Sequence, residues 1–399
     1  MLKIFYPELR EKFFSNYFIY LYVAFVASIF FLPAKIHRDL YYILVLVPFL
    51  LTVNFKDLKT ITNSKILLIS FIYCLYMVIT LGWSNGVDGE ESLEVVRKAL
   101  LIVIFLSITS YVFLKNVKAI NILYKYICMS AGVWAVIYVI IFYYKDLGGR
   151  LSGFGSLKNP IMAANCYSVA VLLFFFSYLV KKEIVYRRKV LYTLAMLVSV
   201  GFVVLTQSRG PLLALVSVLI LSSVLLRSKY VLWVLGGFSI PLVAVYYSGY
   251  VDFSSLVSRA DSYRLTIWSQ SWDLFMRKPW FGYGIRGDRP DIILTVLSEK
   301  ITASHSHNLF ISTMLDGGAF ALLFIVALIC SAAYWAFKFY RTSGDVTLFA
   351  LVAFAFLANL TDGKTPIVSP NYQWLYFWLP IGLAAAYELI HRQKNLSSP

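Results

Sequence analysis

Long apolar runs separated by short polar connections make up most of this chain. A hydrocarbon core about 30 Å thick is crossed by a helix of about 20 residues, so apolar runs of about that length predict membrane-spanning helices. The pattern therefore predicts an all-α integral membrane protein with about 12 transmembrane helices and both termini on the same side. The predicted spans are residues 17–33, 40–54, 66–82, 99–114, 120–143, 161–180, 190–206, 211–226, 230–247, 319–337, 345–361 and 373–390.

One long polar connection, at about residues 248–306, interrupts this series. It divides the chain into three predicted regions. Residues 1–247 hold nine transmembrane helices, residues 248–318 hold the loop with short helices, and residues 319–399 hold three transmembrane helices and a tail. Two of the four histidines lie near the end of the loop, which makes it the place to look for function.

The loop contains a predicted surface helix over residues 262–276. Leu265, Trp268, Trp272 and Phe275 recur there at spacings of three, four and three, which places them on one helical face. An apolar face with two tryptophans, bordered by charged residues, is typical of a helix that lies on a bilayer surface. We expect Pro279 to end this helix.

Three further features follow the surface helix. The sequence Gly-Tyr-Gly at 282–284 predicts a flexible connection, and residues 292–297 form a second short apolar run. His307, Phe310, Ile311 and Met314 share a helical face, so a short helix is predicted there, separated from the next span by glycines 317 and 318.

Composition and charge agree with a membrane protein. The chain is 60% hydrophobic and 14% charged, whereas an average soluble domain is about 25% charged. The net charge of +16 is spread over short connections at span ends, where anionic lipid head groups lie, so we do not predict nucleic acid binding. With the N-terminus inside, inner segments hold nineteen lysines and arginines against nine in short outer loops. This bias predicts cytoplasmic termini and an external long loop.

Arginines in outer loops oppose that bias and are candidates for binding an anion. Arg209 lies in a minimal turn between two apolar helices, Arg264 begins the surface helix, and Arg150 precedes the sixth span. The planar guanidinium matches the geometry of phosphate oxygens, which favours a lipid phosphate or pyrophosphate as ligand. Lys158, Arg286 and Arg289 are further candidates, but for these three residues contact with lipid head groups is the favoured interpretation.

His305 and His307 are the candidate acid–base groups. A helix N-terminus lowers the pKa of a nearby histidine and favours its neutral, proton-accepting form. Ser304 or Ser306 is expected to cap the helix that follows. Asp362, at the outer end of the eleventh span, could orient His307 or accept a hydrogen bond from a sugar hydroxyl, but an ordinary Asp-Gly turn is the favoured interpretation.

The sequence lacks the phosphate-binding GxxxxGK loop, the dinucleotide GxGxxG pattern and the HExxH metal motif. The four cysteines lie in apolar segments and behave as core residues. A transporter is a less favoured reading, because transporters usually carry polar residues and broken helices at mid-membrane.

Three blocks in this order resemble the O-antigen ligase family, within the O-antigen ligase/polymerase superfamily. They are LTQSR at 205–209, Arg264 with the helix that ends in KPWFGYG at 278–284, and HSHN at 305–308. Arg150 and Asp362 also fit this pattern. The resemblance covers the whole chain in topology, while its motifs lie within residues 150–365.

The resemblance implies a multi-span glycosyltransferase of the bacterial inner membrane that acts at the periplasmic face. The donor would be a glycan on undecaprenyl pyrophosphate, and the acceptor a sugar hydroxyl of lipid A–core. Family precedent assigns His307 as the base and Arg209 and Arg264 as pyrophosphate ligands, without metal or cofactor. The expected substrate-binding residues are Arg150, Lys158, Arg286, Arg289, His305, Asn308 and Asp362.

One base without a second carboxylate favours direct displacement with inversion at the anomeric carbon. Two alternatives remain open at this point. One is an O-antigen polymerase of the same superfamily, and the other is a transporter or flippase of lipid-linked sugars.

Overall fold

The computed structural model describes residues 13, 17–145, 149–180, 186–227, 243, 247, 263–296, 299–303 and 305–397. Nearly all of these residues are helical. The helices are α1 (Phe18–Ala27), α2 (Ala34–Leu40), α3 (Val47–Thr52), α4 (Phe55–Ile61), α5 (Lys65–Ile79), α6 (Gly89–Lys115), α7 (Ala119–Tyr144), α8 (Pro160–Leu173), α9 (Tyr186–Leu205), α10 (Arg209–Leu225), α11 (Arg264–Arg277), α12 (Leu309–Ser343), α13 (Thr347–Thr361) and α14 (Leu379–Ser397). Short π-helical segments at Tyr41–Leu46, Phe174–Leu179 and Trp374–Trp378 connect α2 to α3, extend α8 and precede α14.

Six of the described helices are long and apolar enough to cross a membrane. A seventh candidate is the pair Ala34–Thr52 and Phe55–Ile61, which meet at a bend of 110°. Three shorter apolar helices, Phe18–Phe30, Arg209–Leu225 and Thr347–Thr361, coincide with predicted spans. The predicted ninth span, 230–247, lies almost entirely outside the described residues, so the total of about 12 stays a prediction.

Helix α6 begins ten residues before the predicted span at 99–114. The Asp88 side chain accepts a hydrogen bond from Glu91 N at 2.7 Å and caps the helix, and Glu90 and Glu91 occupy its first turn. Negative side chains are favoured there because they face the positive end of the helix dipole. Charged residues thus extend this helix beyond its apolar part.

Connections that the charge bias assigns to one side contact each other. At the predicted outer end, Trp83 Nε1 donates to Phe281 O at 3.2 Å, and Ser156 N donates to Leu32 O at 3.1 Å. At the other end, Ser64 Oγ donates to the buried Glu388 carboxylate at 2.6 Å. The helices between these two ends pack into one large apolar core, in which α6 lies along α14 and α12 lies along α5 and α13.

The predicted surface helix is confirmed as α11, but its apolar face differs from the prediction. Leu265 and Trp272 are exposed, while Ile267 and Leu274 are buried in a second, smaller core under the loop. The indole of Trp268 donates to Ser306 O at 3.0 Å. One face of α11 therefore packs on the protein and contacts the segment that carries the histidines, while another face is exposed.

The prediction of an all-α fold is wrong at one place. Strands β1 (Ile292–Val296) and β2 (Glu299–Ala303) pair antiparallel, with Ile292 opposite Ala303 and Val296 opposite Glu299. The apolar run predicted at 292–297 is rich in β-branched residues, which favour a strand. Gln270 of α11 binds this hairpin through Ile293 N at 3.0 Å and Ile293 O at 2.7 Å.

The flexible connection predicted at residues 282–284 is instead packed closely against the α12 backbone, and the glycines allow that approach. Gly282 has φ +68°, and a methyl group there would lie 2.6 Å from Leu315 O and 2.7 Å from Gly318 N. Tyr283 N and Gly284 N donate to Leu315 O and Asp316 O, both at 2.8 Å. The predicted break near Gly318 is confirmed, since its φ of 68° and ψ of −163° kink α12 there.

Candidate active site

The starts of three helices lie close together, and a residue just before each helix has a left-handed backbone conformation. Gln207 (φ 50°) precedes α10, Tyr263 (φ 58°) precedes α11, and His307 (φ 51°) precedes α12. Such a conformation costs a non-glycine residue about 1–3 kcal/mol and is enriched at functional sites. These turns could not be predicted from sequence, because no glycine or asparagine occupies them.

Arg150 holds the turn that carries Arg209. Its Nε donates to Thr206 O at 2.8 Å, and its Nη2 donates to Ser208 Oγ at 3.0 Å. Arg209 is the first residue of α10 and is partly buried. The Arg150 guanidinium thus braces the backbone on which Arg209 is presented.

Arg264 lies beside this turn. A methyl group on Gly210 would overlap Thr361 Oγ1 and lie 3.8 Å from Arg264 Nη1. Burial lowers the pKa of Arg264, the negative charge of Asp362 opposes that shift, and the positive charge of Arg209 adds to it. Two arginines and one carboxylate therefore interact electrostatically across the starts of α10 and α11 and the end of α13.

His307 and Asp362 form the central contact of the site. His307 Nδ1 lies 3.0 Å from Asp362 Oδ1, and their side chains are 34% and 19% exposed. A neutral imidazole that donates its Nδ1 hydrogen to a carboxylate keeps a lone pair on Nε2. The structure thus shows the contact that an orienting role of Asp362 requires, while the role itself stays a prediction.

His305 lies against His307, with ring centroids 3.9 Å apart and ring planes tilted by 42°. Burial lowers the pKa of His305 to about 4, helped by the positive charges of Lys364 and Arg289 and by His307, while Asp362 acts in the opposite direction. This imidazole is therefore neutral at pH 7. One donor atom from each of His305, His307 and Asp362 lies within 4.8 Å of the others, a group that could hold a metal ion.

The predicted serine cap is wrong, because Asn308 caps α12. Its Oδ1 accepts from Phe310 N at 2.9 Å and Ile311 N at 3.1 Å, and its Nδ2 donates to Leu360 O at 3.0 Å. Its amide thus fixes α12 to the end of α13. The predicted contact of Asn308 with substrate stays a prediction. His307 lies before the cap and not on the apolar helical face predicted for it.

The remaining candidates lie around this group. Arg289 Nη1 lies 3.3 Å from Asp316 Oδ1, a buried carboxylate that sequence reasoning missed. The Arg286 guanidinium pairs with Glu94 at 2.8 Å, which fits a structural role. Lys158 is exposed, and none of the contacts found among the described residues joins it to the histidines.

We call the residues that meet here the arginine–histidine cluster. It joins guanidinium groups to an imidazole whose Nδ1 contacts a carboxylate, a combination that can stabilise an anionic leaving group while removing a proton. Its members come from the starts of α10 and α11, the segment before α12 and the end of α13, with one brace before α8. They are Arg150, Arg209, Arg264, His305, His307 and Asp362.

The long apolar helices and this cluster define a class, a multi-pass membrane protein in which arginine, histidine and carboxylate side chains meet at one end of the helices. Residues 194–326 match the family model described as O-antigen ligase. This match confirms the resemblance predicted from the motifs, over the stretch of the chain from α9 to the middle of α12. Arg150 and Asp362 lie outside the matched residues.

Two relatives extend the match to most of the chain. It is 26% identical over 353 residues to the O-antigen ligase of Pseudomonas aeruginosa, covering 88% of this chain and 84% of that protein. It is 24% identical over 344 residues to the ComP-specific O-oligosaccharyltransferase of Acinetobacter baylyi, covering 82% of this chain and 57% of that protein. These comparisons support a ligase-type glycan transfer enzyme involved in lipopolysaccharide biosynthesis.

Proposed function

We propose that this protein transfers a glycan from undecaprenyl pyrophosphate to a sugar hydroxyl of lipid A–core. The observation that carries the proposal is the contact of His307 Nδ1 with Asp362 Oδ1 at 3.0 Å. Asp362 interacts electrostatically with Arg264, and Arg264 interacts electrostatically with Arg209. The matched O-antigen ligase domain and the Pseudomonas aeruginosa relative support the same activity.

In this mechanism, Arg209 and Arg264 bind the pyrophosphate of the donor. Breaking the bond between the anomeric carbon and the pyrophosphate leaves negative charge on the leaving group, which fixed guanidinium groups stabilise. Partial burial strengthens this interaction, because water screens the charges less. Arg150 keeps the Arg209 turn in place through Thr206 and Ser208.

His307 then acts as the base. Asp362 holds the Nδ1 hydrogen and so directs the Nε2 lone pair toward the acceptor hydroxyl, as a carboxylate does for histidine in a catalytic triad. The hydroxyl oxygen attacks the anomeric carbon, its proton moves to Nε2, and the pyrophosphate leaves. One direct displacement inverts the configuration at the anomeric carbon. The bond to pyrophosphate supplies the free energy, so the step needs no nucleotide.

The proposal places the cluster at the periplasmic face of the inner membrane. Twelve spans with both termini in the cytoplasm would bring the loop of residues 248–318 to that face. The contacts among predicted outer connections support this arrangement, since they gather at the same end as the cluster.

Complementation of a strain that lacks the gene tests this function. We expect wild-type protein to restore smooth lipopolysaccharide, and His307→Ala or Arg209→Ala protein to be inserted at normal level without restoring it. The matched controls are His391→Ala and Arg97→Ala, at a histidine and an arginine outside the cluster. Full complementation by His307→Ala would disprove the mechanism.

The lipid products of the deletion strain separate the neighbouring functions. Bare core with accumulated lipid-linked polymer indicates a lost ligase, whereas core carrying one repeat unit indicates a lost polymerase. Glycan missing from a protein would point to the activity named for the Acinetobacter baylyi relative. A detergent micelle does not separate two compartments. Transfer of glycan to rough lipopolysaccharide by purified protein in detergent would therefore exclude a flippase.

A further inference from the structure

We propose that His305, His307 and Asp362 form a binding site for Zn²⁺ and that the bound ion inhibits the enzyme. The binding itself is independent of the enzyme's activity, while the inhibition rests on the role of His307 proposed above. The site would take a transition metal that prefers imidazole ligands.

The geometry of the donor atoms carries this inference. Two imidazole nitrogens and one carboxylate oxygen lie within 4.8 Å of one another. Ligands of a tetrahedral zinc ion at about 2.0–2.1 Å are separated from each other by about 3.3–3.4 Å. The His307 Nδ1–Asp362 Oδ1 distance of 3.0 Å is already near that value. The other donor pairs, at up to 4.8 Å, would come closer by movement of the His305 and His307 rings when the ion binds.

The donor set selects the metal. Imidazole nitrogens with a carboxylate suit Zn²⁺, Co²⁺ and related ions, whereas Mg²⁺ and Ca²⁺ prefer oxygen ligands. The side chains of His307 and Asp362 are partly exposed, so an ion can reach them from solvent. Three protein ligands leave a fourth position for water or a phosphate oxygen.

Inhibition follows from the electron count of the imidazole. A neutral imidazole has one nitrogen lone pair, and the other nitrogen carries hydrogen. A metal bound at Nδ1 requires that hydrogen to move to Nε2, and a metal bound at Nε2 uses the lone pair directly. In either case His307 can no longer accept a proton from the acceptor hydroxyl.

The neighbouring cations limit the affinity. Arg289 and Lys364 interact electrostatically with His305, and Arg264 interacts electrostatically with the Asp362 carboxylate. These positive charges repel Zn²⁺ and attract an anion. We therefore expect bound donor pyrophosphate to compete with the ion or to supply its fourth ligand.

Direct binding is measured on the full-length protein, purified in detergent without a polyhistidine tag. Titration with Co²⁺, followed by its visible absorption, is expected to show one ion per chain, and Zn²⁺ should displace it. The variants His305→Ala, His305→Gln and Asp362→Asn should each weaken binding at least about tenfold, since even outer partners of metal ligands contribute that much. Two matched controls, His391→Ala and Asp273→Asn, should bind as the wild type does.

Unchanged binding by the folded His305 and Asp362 variants would refute the site, as would equal competition by Mg²⁺. Thermal unfolding of each variant checks that it is folded, and the glutamine variant is retained in case the alanine variant is not. The second arm measures glycan transfer with added Zn²⁺ and with a chelator. We expect Zn²⁺ to lower the rate and the chelator to restore it; stimulation or no effect by Zn²⁺ would refute inhibition.

The two arms separate this inference from the proposed function. Metal binding without transfer under any condition would contradict the ligase activity and leave the metal site standing. Transfer without metal binding would contradict only the metal site.

Discussion

His307 and Asp362 are 55 positions apart in the chain, and their side chains meet at 3.0 Å between Nδ1 and Oδ1. The contact fixes the orientation of the histidine ring at the point where α12 begins and α13 ends. It depends on Asn308, whose amide ties the same two helices together at Leu360 O.

Replacement of Asp362 by asparagine should reduce the transfer rate roughly 10³-fold, because the carboxamide no longer selects the tautomer with a free Nε2. Thermal stability should change little, since the amide fits the same space. The measurement is glycan transfer to rough lipopolysaccharide by purified protein. Asp273→Asn, at an exposed position of α11, is the matched control and should retain activity. Equal rates for the two variants would show that Asp362 does not orient the base.

Replacement of Arg150 by lysine should reduce kcat/KM on the order of 10²-fold, the scale of a 1 Å misplacement in an active site. The charge remains, but one ammonium cannot reproduce the fork that binds Thr206 O and Ser208 Oγ. Because the Arg209 turn would be loosened, we expect KM for the lipid-linked donor to rise more than kcat falls. Arg97→Lys provides the control, and a change in kcat alone would argue against a bracing role.

Gly210→Ala should impair both stability and transfer, because its methyl group would overlap the Thr361 side chain and push the start of α10 away from the end of α13, where Asp362 follows. Gly201→Ala is the matched control, since a methyl group at this helical glycine meets nothing within 4 Å. Alanine is the better helix former, so the control should unfold at the same or a higher temperature.

Addition of Thr361→Ala to Gly210→Ala should restore part of the lost activity, because the side-chain oxygen that the new methyl group meets is removed. The two substitutions should therefore combine non-additively in a double-mutant cycle. Additive losses of activity would mean that the site does not depend on this close approach of the start of α10 to the end of α13.

The stability of the protein should depend on pH through His305. Burial lowers its pKa to about 4 from the usual 6.5. As the pH falls below 6.5, the unfolded chain takes up a proton that the folded chain does not, so stability decreases until about pH 4. The unfolding midpoint of wild type should therefore fall more between pH 7 and 5 than that of His305→Gln. Parallel changes in the two proteins would contradict a neutral, partly buried His305.

Sequence patterns predicted the parts of this fold that depend on local spacing. The period of three and four residues located α11, and the apolar runs located most long helices. The three motif blocks that carry Arg209, Arg264 and His307 were recognisable because each combines charge or histidine with a helix start. The sequence left open whether Asp362 acts in the site or forms an ordinary turn, because its contact with His307 joins residues 55 positions apart.

The features that sequence reasoning missed depend on contacts between distant residues. Asp316 lies in an apolar segment, and only its pairing with Arg289 27 positions away gives it a role. Trp268 was predicted to face the bilayer, but its indole reaches Ser306 O across the loop. The left-handed turn at Gln207 has no local signature, because tertiary contacts impose it on an ordinary residue.

The split of the cluster along the chain has a consequence for recombination between related genes. The matched O-antigen ligase domain ends at residue 326, while the carboxylate partner of His307 follows at Asp362. A crossover between these points would join the imidazole of one parent to the carboxylate of another. Hybrids should therefore inherit both from a single parent, and viable natural mosaics should show their breakpoints before Arg150 or after Asp362.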